Sequence, residues 1–210
     1  QAGGTSQAVI ERTLAKRMLS AFAARGGVHA AQLAGTGITG PAEAFEGPGG
    51  FYSLFEDGNP DQLLDGLGER FETLNTGIKK FPSCACNHAV IEGTLRLMSK
   101  HALAPDDVID AVVRISPYMN TIVGAPYDPS NDAQVAAQFS AQYSVASAVR
   151  RGRVGLDDLT VEAARDPEVG ALANQVRVEV DEGNQGLLAP ATVILATADG
   201  RYKEEVLAIP

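Results

Sequence analysis

Val193-Ile194-Leu195-Ala196-Thr197-Ala198-Asp199-Gly200-Arg201-Tyr202 is the stretch that decides the fold. An Asp-Gly pair between two apolar runs is a strong hairpin signal, because these residues tolerate the positive φ that tight antiparallel turns require. The arms are expected over 193–197 and 202–209. Working back, Val176, Val178 and Val180 alternate with Arg177 and Glu179, the period of a half-buried strand. Val108, Ile109, Val112, Val113 and Ile115 make a β-branched run that stops at Ser116-Pro117. Helical patterns interleave with these runs. Ile91, Leu95 and Met98 share a face of a helix over 88–100. Asp132 caps one long Ala-rich helix through Arg150, with Val135, Phe139, Tyr143 and Ala146 on its apolar side. An irregular segment is expected over 117–131, and one or two small helices around Pro167. Helices alternating with several strands give an α+β class with a small, largely antiparallel sheet.

Upstream the pattern is helical. Val9, Leu14, Met18 and Phe22 recur near helix period behind Thr5-Ser6 as cap, and Gly26-Gly27 is expected to end that helix. A short Ala-rich helix follows over 28–34. Residues 41–68, rich in Gly, Pro, Asp and Asn, suit several short helices and turns. Asn75-Thr76-Gly77 marks a boundary before a short extended stretch over 78–82. The expected domains are therefore a helical 1–75 and an α+β 76–210.

Composition narrows the function. The 210 residues are 45% hydrophobic and 20% charged, ordinary for a chain that buries a core. No apolar run approaches the roughly 18–20 residues that cross a bilayer. Seventeen basic against 26 acidic residues give a net charge of −9, which with no basic cluster argues against nucleic acid. Neither G-x-G-x-x-G nor a P-loop is present, so nucleotide binding has no support, and G-x-S-x-G is absent. The opening Gln1-Ala2-Gly3-Gly4 has no Met and reads as a start inside a longer protein. It carries no targeting signal to read, so a cytoplasmic location is the default expectation.

The five lysines are Lys16, Lys79, Lys80, Lys100 and Lys203. An acidic protein that handles an anion depends on the few cations it places in a cleft. Lys16-Arg17 lies within the first helix beside Leu14 and Met18, either facing a cleft or solvated with its stems on the surface. The densest polar run is Lys79-Lys80-Phe81-Pro82-Ser83-Cys84-Ala85-Cys86-Asn87-His88, which leads into a helix N-terminus where unpaired amides favour a carboxylate. His88 suits acid–base work near neutral pH, or packs against the helix while Asn87 or Ser83 caps it. Cys84-x-Cys86 lacks the spacing and the second pair of a zinc site. It offers either a nucleophilic thiol at the helix start or small thiols lining the loop. Tyr143 reaches a cleft or belongs to the core with Phe139. His29 and His101 stand alone, and no metal-ligand set is recognisable.

Three ordered segments resemble the MmgE/PrpD family, which includes 2-methylcitrate dehydratase, cis-aconitate decarboxylase and iminodisuccinate epimerase. They are Ala15-Lys16-Arg17-Met18 through Phe22-Ala23-Ala24-Arg25-Gly26-Gly27, Lys79-Lys80-Phe81-Pro82-Ser83-Cys84 through His88, and Ala137-Gln138-Phe139-Ser140-Ala141-Gln142-Tyr143. The resemblance implies the end of an all-helical domain over 1–75, followed by an α+β lid domain over 76–210. It implies catalytic roles for Lys16, Lys79 and His88, and substrate contacts from Lys80, Ser83, Cys84 and Tyr143. Cofactor-free lyase or isomerase chemistry on a small di- or tricarboxylate, in a homodimer, is what such a protein would perform. Cys84 stands where some relatives have a histidine, and Leu19 and Ser20 where many read His-Pro. These departures leave epimerisation open beside dehydration or decarboxylation, and leave a non-catalytic binding or assembly module as the contrasting class.

Overall fold

Residues 7–55, 58, 59 and 61–210 are described by a computed structural model. The opening Gln1-Ala2-Gly3-Gly4 and the Thr5-Ser6 cap lie outside them. The chain separates into two units: Met18–Ile78, and a second that joins the segment ending at Arg17 to Lys79–Pro210. Helix α1 (Gln7–Ile10) is short, and α2 (Ala15–Gly35) is the longest helix described. The expected break at Gly26-Gly27 does not occur. Two glycines cost a helix about 1 kcal/mol each relative to alanine but do not force an exit, and the alanines around them carry α2 to Gly35. No side chain of α2 is buried, and Met18, Phe22 and Leu33 are exposed. Between Pro41 and Gly68 the described residues include turns, α3 (Phe51–Phe55) and α4 (Asp61–Leu64). Phe51 lies 5.8 Å from Tyr52 and 5.2 Å from Phe55, ring to ring.

The second unit is built on a four-stranded sheet. Strands β1 (Asp110–Ile115), β2 (Val176–Val180), β3 (Ala191–Thr197) and β4 (Gly200–Val206) lie in the order β2-β1-β3-β4. The β1–β3 and β3–β4 pairs are antiparallel and β1–β2 is parallel. The Asp-Gly hairpin forms with Thr197 opposite Gly200, whose φ of 143° suits glycine alone. Its second arm stops at Val206, short of the expected Ile209. Residues 78–82 join no strand, so the expected extended stretch is a loop.

Helix α5 (His88–Lys100) packs over β3 and β4, and α8 (Ala141–Arg151) packs beside it and against β2. Val113, Val193 and Leu195 point into that layer and are fully buried, so every second residue of the central strands faces the helices. Gly93 permits the closest approach: a Cβ there would lie 3.1 Å from Val193 and 3.3 Å from Val206. The parallel β1–β2 pair needs a long crossover, which α6 (Pro117–Val123), α7 (Ala133–Gln138), α8, α9 (Val161–Ala164) and α10 (Pro167–Ala173) supply.

Two expectations about this crossover are corrected. The segment after Ser116 is not irregular throughout, because Ser116 caps α6 through a 3.1 Å bond from Met119 N–H and Pro117 occupies the first helical position. The long helix from Asp132 is two helices. Asp132 caps α7, but Phe139 leaves the helical region and Ser140 is extended. The Ser140 hydroxyl then accepts from Tyr143 N–H at 3.1 Å and starts α8, the competition with helix propagation that serine side chains offer.

Candidate active site

The break between α7 and α8 organises the polar loop. A helix end leaves its last carbonyls without intrahelical partners, and the Gln138 carbonyl turns this to use. It accepts from Cys84 N–H at 3.0 Å, Ser83 Oγ at 2.9 Å and Asn87 Nδ2 at 3.2 Å. Asn87 Nδ2 also donates to Ser83 Oγ at 3.0 Å. One backbone oxygen thus fixes the Ser83–Asn87 turn against α7. Cys84 immediately precedes the 3-10 turn Ala85–Asn87, which runs directly into α5.

A cavity of about 300 Å³ opens beside this turn, lined by Lys16, Arg17, Lys79, Pro82, Ser83, Cys84, Gln138 and Phe139. All belong to the second unit. Lys79 Nζ donates to Ser83 O at 3.1 Å, which draws it across the loop. Lys16 Nζ lies 5.2 Å from the centroid of the Phe139 ring, a cation–π contact. Arg17 donates to Gln134 Oε1 at 2.9 Å and to Gln138 Oε1 at 2.8 Å. Both acceptors are neutral amides, so the guanidinium is oriented without being neutralised. Three cations therefore line one cavity with no carboxylate in its wall among the described residues, on a chain of net charge −9.

Cys84 is half-buried in this wall. Interaction with the Cys86 thiol, then the Cys86 N–H and the ammoniums of Lys79 and Lys16, pulls its thiol down to about 6 against the opposing effect of burial. Cys86 is buried, and its thiol is pushed up by Cys84 and by desolvation. The Cys86 Sγ donates to Leu187 O at 3.6 Å.

The remaining expected residues lie elsewhere. His88 is 1% exposed, edge-on to Phe81 at 5.4 Å, and does not line the cavity. Neither ring nitrogen has a well-formed hydrogen bond among the described residues. Burial and then Lys79 hold its pKa below the ordinary histidine value, with the backbone at Phe81 and Ser83 pulling weakly the other way. Lys80 turns away to Glu92 Oε2 at 2.6 Å, where Arg96 also binds. Tyr143 is fully buried. Its hydroxyl donates to the Asp158 carbonyl, lies 3.1 Å from Ala163 O and accepts from Arg151 Nη1 at 3.1 Å.

Lys16, Lys79, Ser83 and Cys84 thus come together, while Lys80, His88 and Tyr143 stand outside the cavity wall. Arg17, Gln138 and Phe139 are wall residues to which the sequence reading gave no site role of their own. Arg17 was visible as the neighbour of Lys16 in the first turn of α2, and Gln138-Phe139 lay inside a quoted motif. Among the described residues no group of three or more His, Cys, Asp or Glu side chains is placed to hold a metal ion. No described helix is long and apolar enough to cross a membrane.

Residues 81–210 match the MmgE/PrpD C-terminal domain and residues 1–64 match the MmgE/PrpD N-terminal domain. The chain is similar to the cis-aconitate decarboxylase-like protein oryM of Aspergillus oryzae, with 29% identity over 228 aligned residues. That alignment takes in 100% of this chain and 46% of the relative, so the chain spans about half the length of the curated relative it matches.

Proposed function

The chain belongs to the MmgE/PrpD family, and from that premise we propose that it forms part of a cofactor-free lyase or isomerase acting on a small di- or tricarboxylate. The observation that carries this reading is the cavity with Lys16, Arg17 and Lys79 in its wall. Removing a proton from a carbon next to a carboxylate builds charge on that carboxylate. Cations fixed beforehand at its oxygens stabilise the charge without reorganising during the reaction. Lys16 and Lys79 serve as the clamp. Arg17, held by two amide oxygens, keeps donors for a further carboxylate, in the forked geometry that carboxylates match. Ser83 supports the loop, and His88 stays neutral behind the wall at physiological pH.

The test is to assay the full-length protein on cis-aconitate, 2-methylcitrate and iminodisuccinate, scoring water loss, carbon dioxide release or inversion. Lys16→Ala and Lys79→Ala are each expected to lower kcat/KM about 10- to 150-fold, the worth of one charge-assisted hydrogen bond of about 1.5–3 kcal/mol. Wild-type kinetics in both variants would refute the clamp. Inversion without water or carbon dioxide release would favour the epimerase reading, which Cys84 in place of a histidine leaves open.

A further inference from the structure

We propose that Cys84 is the proton-transfer group of this cavity, acting as a thiolate on the carbon next to a carboxylate held by Lys16 and Lys79; this rests on the carboxylate reading above. Ser83 Oγ is committed to Gln138 O and Asn87. Gln138 uses its carbonyl on the loop and its Oε1 on Arg17. Lys79 donates to Ser83 O, and Lys16 rests on Phe139. Arg17 does not give up its proton at any working pH. Cys84 is the remaining wall residue whose side chain can take up a proton near neutrality.

Its surroundings favour the charged form from several sides. The Cys86 thiol and backbone N–H favour the thiolate, as do the ammoniums of Lys79 and Lys16, which line the same cavity. Cys84 immediately precedes the turn that continues into the N-terminus of α5. His88, the nearest titratable group on α5, is held neutral and adds no competing charge. A thiol at about 6 is mostly ionised at neutral pH, and its conjugate acid is strong enough to return the proton.

The thiolate lone pair forms an S–H bond as the substrate C–H bond breaks. The C–H electron pair passes into the carboxylate, giving an ene-diolate whose two oxygens face the lysines. Return of a proton from the thiol to the same carbon restores both partners. Between the two halves the S–H proton exchanges with water.

Two measurements on the full-length protein test this. The first is alkylation of Cys84, followed by peptide mass spectrometry, with iodoacetate and with iodoacetamide. Iodoacetate, an anion, is expected to react several-fold faster, with a midpoint near pH 6 and with the preference lost in Lys79→Ala. Equal or slower reaction with iodoacetate would overturn the proposal. The second is deuterium incorporation from heavy water into the three acids named above. Cys84→Ser is expected to lower it at least about 100-fold, the usual worth of a positioned base, while circular dichroism stays that of wild type. Undiminished exchange in Cys84→Ser would overturn the role of Cys84 and leave the carboxylate reading standing. Absence of both turnover and exchange in the wild-type protein would remove that reading and this proposal with it.

Discussion

Tyr143→Phe separates a structural tyrosine from a substrate contact. The hydroxyl donates to the Asp158 carbonyl, approaches Ala163 O at 3.1 Å and accepts from Arg151 Nη1 at 3.1 Å. Removing it leaves neither carbonyl bare, because Arg151 also reaches Asp158 O at 3.4 Å and Ala163 O at 3.0 Å. Arg151 in turn keeps Asp166 at 3.1 Å. The loss is therefore close to one net buried hydrogen bond, about 1–1.5 kcal/mol, without the larger penalty of an orphaned group. For a chain of this size that corresponds to a drop in Tm of about 2–6 °C. The assay pairs thermal denaturation with steady-state kinetics on the full-length protein. A lowered Tm with KM unchanged is the expected result. A KM raised tenfold or more at unchanged Tm would show that the hydroxyl faces substrate, and the placement of Tyr143 in the core would be wrong.

The other predictions test the packing and the charge of the second unit. Gly93→Leu is expected to destabilise by about 3 kcal/mol, the upper range for overpacking, because Val193 and Val206 are buried and already meet a Cβ at 3.1 and 3.3 Å; a urea midpoint equal to wild type would contradict the helix–sheet contact. His88 has its pKa held below the ordinary value, so as pH falls the unfolded chain takes up the proton first. Its contribution to stability is complete above about pH 6.5 and declines as pH drops below that. Urea midpoints at about pH 7.5 and about pH 5.5 should therefore diverge, and His88→Leu should remove part of the difference. Substrate affinity should weaken with added salt less steeply in Lys79→Ala than in wild type, since a cation that contacts an anion contributes to screening; identical slopes would place Lys79 outside the binding site.

What could be read from sequence follows from which signals are local. The hairpin was legible because period-2 alternation and Asp199-Gly200 act within ten residues. The β1 and β2 strands carried the same signal in Val112-Val113 and in the Val176–Val180 alternation. Their parallel pairing was not legible, since it depends on where a crossover of five helices returns the chain. The α7–α8 break was hidden for a different reason. Val135, Phe139, Tyr143 and Ala146 keep helical spacing straight through it, and a single serine is a weak stop signal against an Ala-rich background. Gly26-Gly27 misled in the opposite direction, because glycine lowers helix stability without forcing the left-handed residue that ends one. For the site, Lys16, Lys79, Ser83 and Cys84 were found through motif resemblance. Charge and spacing alone left each with a solvated or capping alternative. Lys80 shows the limit: adjacent residues in a loop point in opposite directions, and sequence does not say which of two lysines turns inward.

The same break explains why the cavity exists where it does. Had 132–150 formed one uninterrupted helix, the Gln138 carbonyl would have bonded to the amide four residues on, and nothing would fasten Cys84, Ser83 and Asn87 to α7. Ending α7 at Gln138 makes that oxygen available to three donors at 2.9–3.2 Å. The same interruption leaves Phe139 at the edge of the cavity as the surface on which Lys16 lies. Gln138 thus works at both ends, its backbone holding the thiol loop and its side chain holding Arg17. Arg17 reaches the cavity by binding this helix terminus directly, and Lys79 by binding Ser83 O in the loop that the terminus holds. The interruption of a good helical sequence is what makes a chain of net charge −9 positive at one place.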